Sequence, residues 1–314
     1  MDAIVIREVS KRFDQHVAVD ALSLSVPRGS VYGFIGPNGS GKTTTLRMIM
    51  GILLPDRGEI ELLGERSTAR AMAARARDRV GYLPEERGLY KKMTVRRLLR
   101  YYGRLKGVPA DRIDGAIRRW LDRLALGEWA DRKIETLSKG MAQKVQLIGA
   151  AVADPEVLIL DEPFSGLDPV NVEVLKDTVL ELRNSGVTIL FSTHDMAMAE
   201  RLCDRICMIF RGRKVLDGTL AEIQGVHGHD TVRVRTAAGV EALSGLRGVA
   251  AVRDHGNEQE LELDGDAQQV LRALLERTKV LQFEIGRPSL HDIFIRIARP
   301  EPPDAGAGKD GAHA

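Results

Sequence analysis

Gly36-Pro37-Asn38-Gly39-Ser40-Gly41-Lys42-Thr43-Thr44 fits the pattern G-x-x-x-x-G-K-[ST] at every fixed position. An apolar run over 31–35 leads into it, and the residues after Gly41 have helical character. That is the strand, loop and helix setting the motif requires. The chemistry follows from the residue types. Polyphosphate carries negative charge on oxygens that need donors. Closely spaced glycines let the backbone curl with no Cβ in the way, so successive N–H groups point inward. A helix starting near Lys42 adds its unpaired N–H groups and the positive end of its dipole. Lys42 is placed to reach the outer phosphates as a point charge, and Thr43 to offer its hydroxyl to Mg²⁺.

At 314 residues the chain is long enough for two domains. Charged residues make up 29% and nearly balance, for a formal net charge of +2, which argues against a uniformly basic nucleic-acid surface. Aromatics at 4% argue against a platform that stacks single-stranded bases. Cys203 and Cys207 are expected as buried free thiols, and the seven histidines and two cysteines show no zinc-like spacing. Asp2, Arg7 and Glu8 interrupt any early apolar run, and no stretch has the length of a membrane span. The expectation is a protein soluble in the cytoplasm, or held at a membrane only through a partner.

Outward from the phosphate loop, 4–9 and 17–26 read as strands, with 59–63 and 80–83 following the first helix. Residues 67–79, rich in arginine and alanine, read as helix. Thr94 looks like a helix cap, Pro109 and Ala110 break the pattern, and 111–124 restores it with Trp120 on an apolar face. Ser138 caps a helix running to about 152. Apolar strands at 157–160 and 187–191 follow, then a hairpin around 211–213. Residues 219–223 read as a short helix and 224–230 as a linker. Beyond it, helices at 240–246, 266–276 and 289–297 with strands at 231–236, 251–253, 260–263 and 280–285 suggest a small α+β domain. Residues 301–314 have the composition of a disordered tail.

Two strand ends carry further chemistry. Asp161 directly follows a buried strand, as suits a carboxylate that helps hold Mg²⁺ against phosphates. Glu162, one residue on, is placed to accept a hydrogen bond from a water attacking the terminal phosphate. His194 ends another buried strand and either contacts that phosphate or fixes Glu162. Phe13, read alone, is a packing residue.

Together these pieces resemble the ATP-binding cassette (ABC) ATPase family. The resemblance rests on ordered motifs between Phe13 and His194: the phosphate loop 36–44, the Walker B run 157–162, the D-loop Ser165-Gly166-Leu167-Asp168 and the switch histidine His194. The family's Leu-Ser-Gly-Gly-Gln signature stands here as Leu137-Ser138-Lys139-Gly140-Met141, departing at Lys139 and Met141. Glu85 occupies the Q-loop glutamine's position. The resemblance implies an α/β fold: a P-loop NTPase core of the ABC ATPase type with antiparallel-β and helical subdomains, plus a small C-terminal α+β domain. In these terms 1–223 is the ATP-binding domain with a helical subdomain at 94–153, and 224–300 is an accessory domain. It implies ATP and Mg²⁺ as cofactors. Phe13 then stacks on adenine, Gly36, Asn38, Gly39, Ser40, Gly41, Lys42, Thr43 and Thr44 hold phosphate, and Thr43 and Asp161 hold the metal. Glu85 approaches Mg²⁺ through water, and the catalytic set is Glu162, which polarises the attacking water, with His194 and Glu85, which sense the terminal phosphate. Ser138 and Gly140 serve the nucleotide of a second copy, so a head-to-tail homodimer is implied, and Asp168 of the D-loop counts among the nucleotide-binding residues.

Within the family, the run 81–90 and the C-terminal stretch 288–294 resemble a subgroup serving separate ABC-2-type exporter permeases, among them sodium-extrusion and drug-resistance systems. The implied protein is an ATPase subunit on the cytoplasmic face of the membrane, bound to a transmembrane permease, with no nucleic-acid partner. Two alternatives stay open at this point: a mechanical ATPase acting on nucleic acid or ribosomes, and a regulatory module switched by ATP.

Overall fold

The computed structural model describes residues 2–67, 74–86, 88–227 and 231–298. The chain divides into two compact units, Met1–Leu220 and Ala221–Ala314.

In the first unit, long antiparallel strands β1 (Asp2–Phe13) and β2 (His16–Pro27) precede β3 (Val31–Ile35), which is buried at every position. Helix α1 (Lys42–Ile49) follows the phosphate loop. Then come β4 (Arg57–Leu62), β5 (Glu65–Ser67), α2 (Ala74–Asp78) and β6 (Val80–Leu83). Helices α3 (Val95–Leu105), α4 (Ala110–Arg123) and α5 (Lys139–Ala151) come next. The unit continues with β7 (Val157–Asp161), α6 (Pro169–Asn184), β8 (Thr188–Thr193), α7 (Met196–Leu202), β9 (Arg205–Phe210) and β10 (Arg213–Gly218).

Six of these strands form one sheet in the order β10-β9-β3-β8-β7-β6, parallel except for the β9–β10 hairpin. The continuous apolar runs explain this, because a parallel strand is covered on both faces. The other sheet, β2-β1-β4-β5, is antiparallel. Ile4, Ile6, Ile60 and Leu62 from it pack with Tyr32 and Phe34 of β3 and Leu46 of α1. A separate core joins α3, α4 and α5 to the faces of β7 and β8. Trp120 is buried in it, with the Arg123 guanidinium 5.1 Å from its ring centroid.

Parallel register decides where the chemistry collects. Ile35 pairs with Thr193, Asp161 with Ser192, and Leu83 with Leu160. The segments leaving β3, β7, β8 and β6 therefore emerge along one edge of the sheet, where ligand contacts gather in α/β folds. Thr94 caps α3 by accepting from the Arg97 amide at 3.3 Å.

The second unit carries most of α8 (Leu220–His227), then β11 (Thr231–Thr236), β12 (Val249–Asp254), β13 (Gln259–Leu263), α9 (Ala267–Arg277), β14 (Val280–Gly286) and α10 (Leu290–Ala298). Its sheet is antiparallel, in the order β12-β13-β11-β14. Val232, Val234, Leu261, Leu263, Val270 and Leu274 form its core. Ser289 and Asp292 make a reciprocal cap for α10: each side-chain oxygen accepts from the other's amide, at 3.1 and 3.2 Å.

Several expectations change. The break expected at Pro109 and Ala110 lies one residue earlier: α3 ends at Leu105, Pro109 stands at the N-cap of α4, and Ala110 already opens that helix, because proline's fixed φ and missing N–H suit a helix start. Residues 224–227, expected as linker, continue α8, and the Gln224 side chain donates to the Pro288 carbonyl at 3.0 Å. The helix expected at 240–246 is a short 3-10 turn, Gly239–Leu243. Ser67 ends β5 rather than starting a helix. Residues 68–73 of that expected helix, and the tail 301–314, lie outside the described residues.

Candidate active site

The phosphate loop crosses from β3 to α1 with glycines where no other residue fits. A Cβ on Gly36 would overlap the Ile209 carbonyl. Gly41 has φ +108, and a Cβ there would overlap the Ala18 carbonyl. Inside this loop Lys42 is buried, donating to the carbonyls of Gly36 at 2.7 Å and Pro37 at 3.3 Å. Its Nζ stands 3.5 Å from Glu162 Oε1.

Asp161 ends β7 fully buried, and desolvation raises its carboxyl above the usual carboxylate range. One oxygen, Oδ1, accepts from Ser192 Oγ at 2.5 Å and Thr43 Oγ1 at 3.3 Å. The other, Oδ2, is buried with no hydrogen-bond partner among the described residues. An orphaned carboxylate oxygen is costly unless something electropositive meets it. A hard cation such as Mg²⁺, bound by Asp161 with the neighbouring Thr43 hydroxyl, fits that requirement.

Glu162 lies just past the strand in the left-handed region, with φ 49. Such a conformation in a non-glycine residue persists only where surroundings enforce it. Here its amide donates to both the carbonyl and the hydroxyl of Ser192, at 3.2 and 3.1 Å. Phe164, edge-on to Phe191 at 5.8 Å, anchors the segment that follows. The Glu162 carboxylate is met by His194 Nδ1 at 3.1 Å from each oxygen. Of the two roles left open for His194, the geometry supports holding Glu162.

A cleft of about 460 Å³ opens over these groups. Asn38, Gly39, Gly41, Lys42, Thr43 and Thr44 line it together with Glu162. Phe13 and Glu85, far from the loop in sequence, line it too. Phe13 is 44% exposed, so packing does not account for it, and Lys11 Nζ lies 5.7 Å from its ring centroid. Gly36, Ser40, Asp161 and His194 are not among the lining residues; Ser40 Oγ is buried with no hydrogen-bond partner among the described residues. His16 and Ser192 were missed in the sequence. Ser192 carried one usable signal, since it stands two residues before His194 at the end of the same strand.

Ser138, Gly140 and Asp168 do not line the cleft. Ser138 caps α5, accepting from the Met141 amide at 3.2 Å. Asp168 caps α6 through the Asn171 amide at 3.0 Å, a hydrogen bond that holds its carboxyl below the usual range. The Asn171 side chain in turn fills the space a Cβ on Gly140 would need. Gln143 of α5 donates to the Pro163 carbonyl at 3.0 Å, tying this helix to the segment after Glu162.

Loop and strand order together define a P-loop nucleotide-binding protein of the α/β class. Comparison with known proteins narrows this. Residues 19–165 match the ABC transporter family, and 218–298 match the C-terminal domain of DrrA1-3-like ATP-binding proteins. The chain is 41% identical over 294 residues to the ABC transporter ATP-binding protein YhaQ of Bacillus subtilis, covering 93% of this chain and 97% of that one. It is 38% identical over 299 residues to the Nod factor export ATP-binding protein I of Burkholderia lata, covering 95% and 97%. A solved ATP-binding subunit of an ABC transporter superposes with TM-score 0.66 at 31% identity, over 71% of this chain and 92% of that one. A nucleotide-free ATP-binding cassette gives 0.63 at 26%, over 72% and 95%. The chain belongs to the ABC transporter ATP-binding proteins. It is the ATP-hydrolysing, nucleotide-binding subunit of such a transporter.

Proposed function

We propose that this subunit powers export through a separate ABC-2-type membrane permease, closing on ATP as a head-to-tail pair of copies. The observation that carries the catalytic half is the buried Asp161 with its unpartnered Oδ2 beside Thr43, one residue from a Glu162 oriented by His194. In this reading Phe13 stacks on adenine, and the backbone of 36–44 and Lys42 bind the phosphates. Thr43 and Asp161 would hold Mg²⁺, with Glu85 placed to reach it through water, and the ion would supply positive charge against the phosphate oxygens. Glu162 accepts a hydrogen bond from the attacking water, and His194 keeps that carboxylate in place. Ser138 and Gly140, at the start of α5, and Asp168, at the start of α6, complete the site of the second copy. A helix N-terminus is useful to phosphate only when phosphate reaches it.

Export is supported by the role named for the Burkholderia lata relative and by the match of 218–298 to the DrrA1-3-like domain. No described helix is long and apolar enough to cross a membrane, which agrees with a permease on another chain and a subunit peripheral to the cytoplasmic face. The test is affinity capture from detergent-solubilised membranes with ATPase assay of the captured complex. A multi-span permease that raises phosphate release supports the proposal. Turnover stimulated by nucleic acid, with no membrane partner captured, refutes it.

A further inference from the structure

The hairpin that carries Phe13 runs past the end of its sheet. Strand β4 accompanies β1 only as far as Ser10, which pairs with Arg57. Beyond that point β1 is in register with β2 alone among the described residues, Lys11 opposite Val19 and Phe13 opposite His16. The register shifts between Val9 and Lys11 and again between Lys11 and Arg12, so the ladder is irregular there. A two-stranded ribbon has little stability by itself. Its tip nevertheless presents an aromatic ring to the cleft that Lys42 and Glu162 line.

Asp56, the residue before β4, ties that tip down. Its amide donates to the Ser10 carbonyl at 2.9 Å. Its carboxylate accepts from the Arg12 amide at 2.8 Å and from Lys11 Nζ at 2.7 Å. The bond from Lys11 holds the Asp56 carboxyl below the usual carboxylate range, so it is ionised at neutral pH. An ion pair this close to solvent adds little stability. What it fixes is direction. The Lys11 ammonium lies over the Phe13 ring, 5.7 Å from its centroid. A cation on one face of an aromatic ring is attracted to its quadrupole, which restrains the ring and leaves the other face for a flat ligand.

We propose that Lys11, braced by Asp56, is a positioning residue for the nucleotide base: it backs the Phe13 ring so that adenine stacks on the opposite face. This rests on the reading of Phe13 as the adenine contact. Neither Lys11 nor Asp56 is among the residues that line the cleft, so both act through the ring. The pair therefore serves the base and not the phosphates. Its loss should weaken ligands that carry a base and spare those that do not.

The experiment is calorimetric titration of the full chain with ADP, and separately with inorganic pyrophosphate, which offers the phosphate loop two phosphates without a base. Phe13→Ala should weaken ADP about tenfold, the scale of one base stacked on one ring. Lys11→Met should weaken ADP about threefold, and Asp56→Asn, which loosens the brace, should act in the same direction. Pyrophosphate affinity should stay unchanged in all three. Lys11→Arg, which keeps a cation over the ring, should bind ADP as the parent does. In the Phe13→Ala background, Lys11→Met should add nothing. If Phe13→Ala leaves ADP affinity intact, the adenine reading of Phe13 fails and the proposal falls with it. If Phe13→Ala weakens ADP but Lys11→Met does not, the proposal alone is overturned. Equal losses of ADP and pyrophosphate in Lys11→Met, or an undiminished effect of Lys11→Met without the Phe13 ring, overturn it as well.

Discussion

Each candidate catalytic side chain is placed by a neighbour that can be named. Glu162 is held by His194 and by two hydrogen bonds from its own amide to Ser192. Glu162→Gln should keep ATP affinity but cut phosphate release by at least about a hundredfold, the usual scale for a positioned base. Lys42→Ala removes the buried cation of the phosphate loop and should weaken nucleotide binding itself, measurable by calorimetry. Asp161 carries the opposite lesson. Burial raises its carboxyl, so the folded state holds that proton more tightly than the unfolded chain does. Folding is then penalised increasingly as pH rises through the ordinary carboxylate range, and the penalty persists at neutral pH. Asp161→Asn should therefore raise the melting temperature of the nucleotide-free protein near pH 7, by a margin that shrinks below about pH 4, while Mg²⁺-dependent ATP binding is lost. Most of this was legible from residue type and position after apolar runs. The hold of Ser192 on Asp161 and Glu162 was not, because it depends on strand register between β7 and β8.

At the scale of elements, the helix starts read at Thr94 and Ser138 were the clearest signals; each accepts from an amide three residues on, as Asp168 does at the start of α6. Ser138→Ala removes one such cap and should cost about 1 kcal/mol of stability, read from denaturant unfolding. Gly41→Ala forces a side chain into φ +108 against the Ala18 carbonyl. It should destabilise by about 1–3 kcal/mol and abolish nucleotide binding. Elements were misread where a local signal had two meanings. Pro109 marks a helix boundary either way, and only the structure shows that Ala110 already belongs to α4 rather than to the break. The polar, glycine-bearing stretch from Gln224 has a linker's composition, yet it remains helical as far as His227, with Gln224 bonded to Pro288.

For the molecule as a whole, the fold class was legible because fully apolar strands alternate with helices in the first unit, and short alternating strands make the second. The gathering of Phe13 and Glu85 at one cleft was not legible from spacing; it came through resemblance, since only the fold brings them to the phosphate loop. What the single chain leaves apart is equally informative: Ser138, Gly140 and Asp168 stand outside the cleft that Lys42 and Glu162 share. The central claim is that ATP joins those two halves across two copies. Its most direct measurement is the mass of Glu162→Gln in solution, by light scattering after size exclusion, with and without Mg-ATP. The account predicts one chain without nucleotide and two with it, with the second state lost in Ser138→Arg. A single chain under saturating Mg-ATP, with nucleotide demonstrably bound, would contradict it.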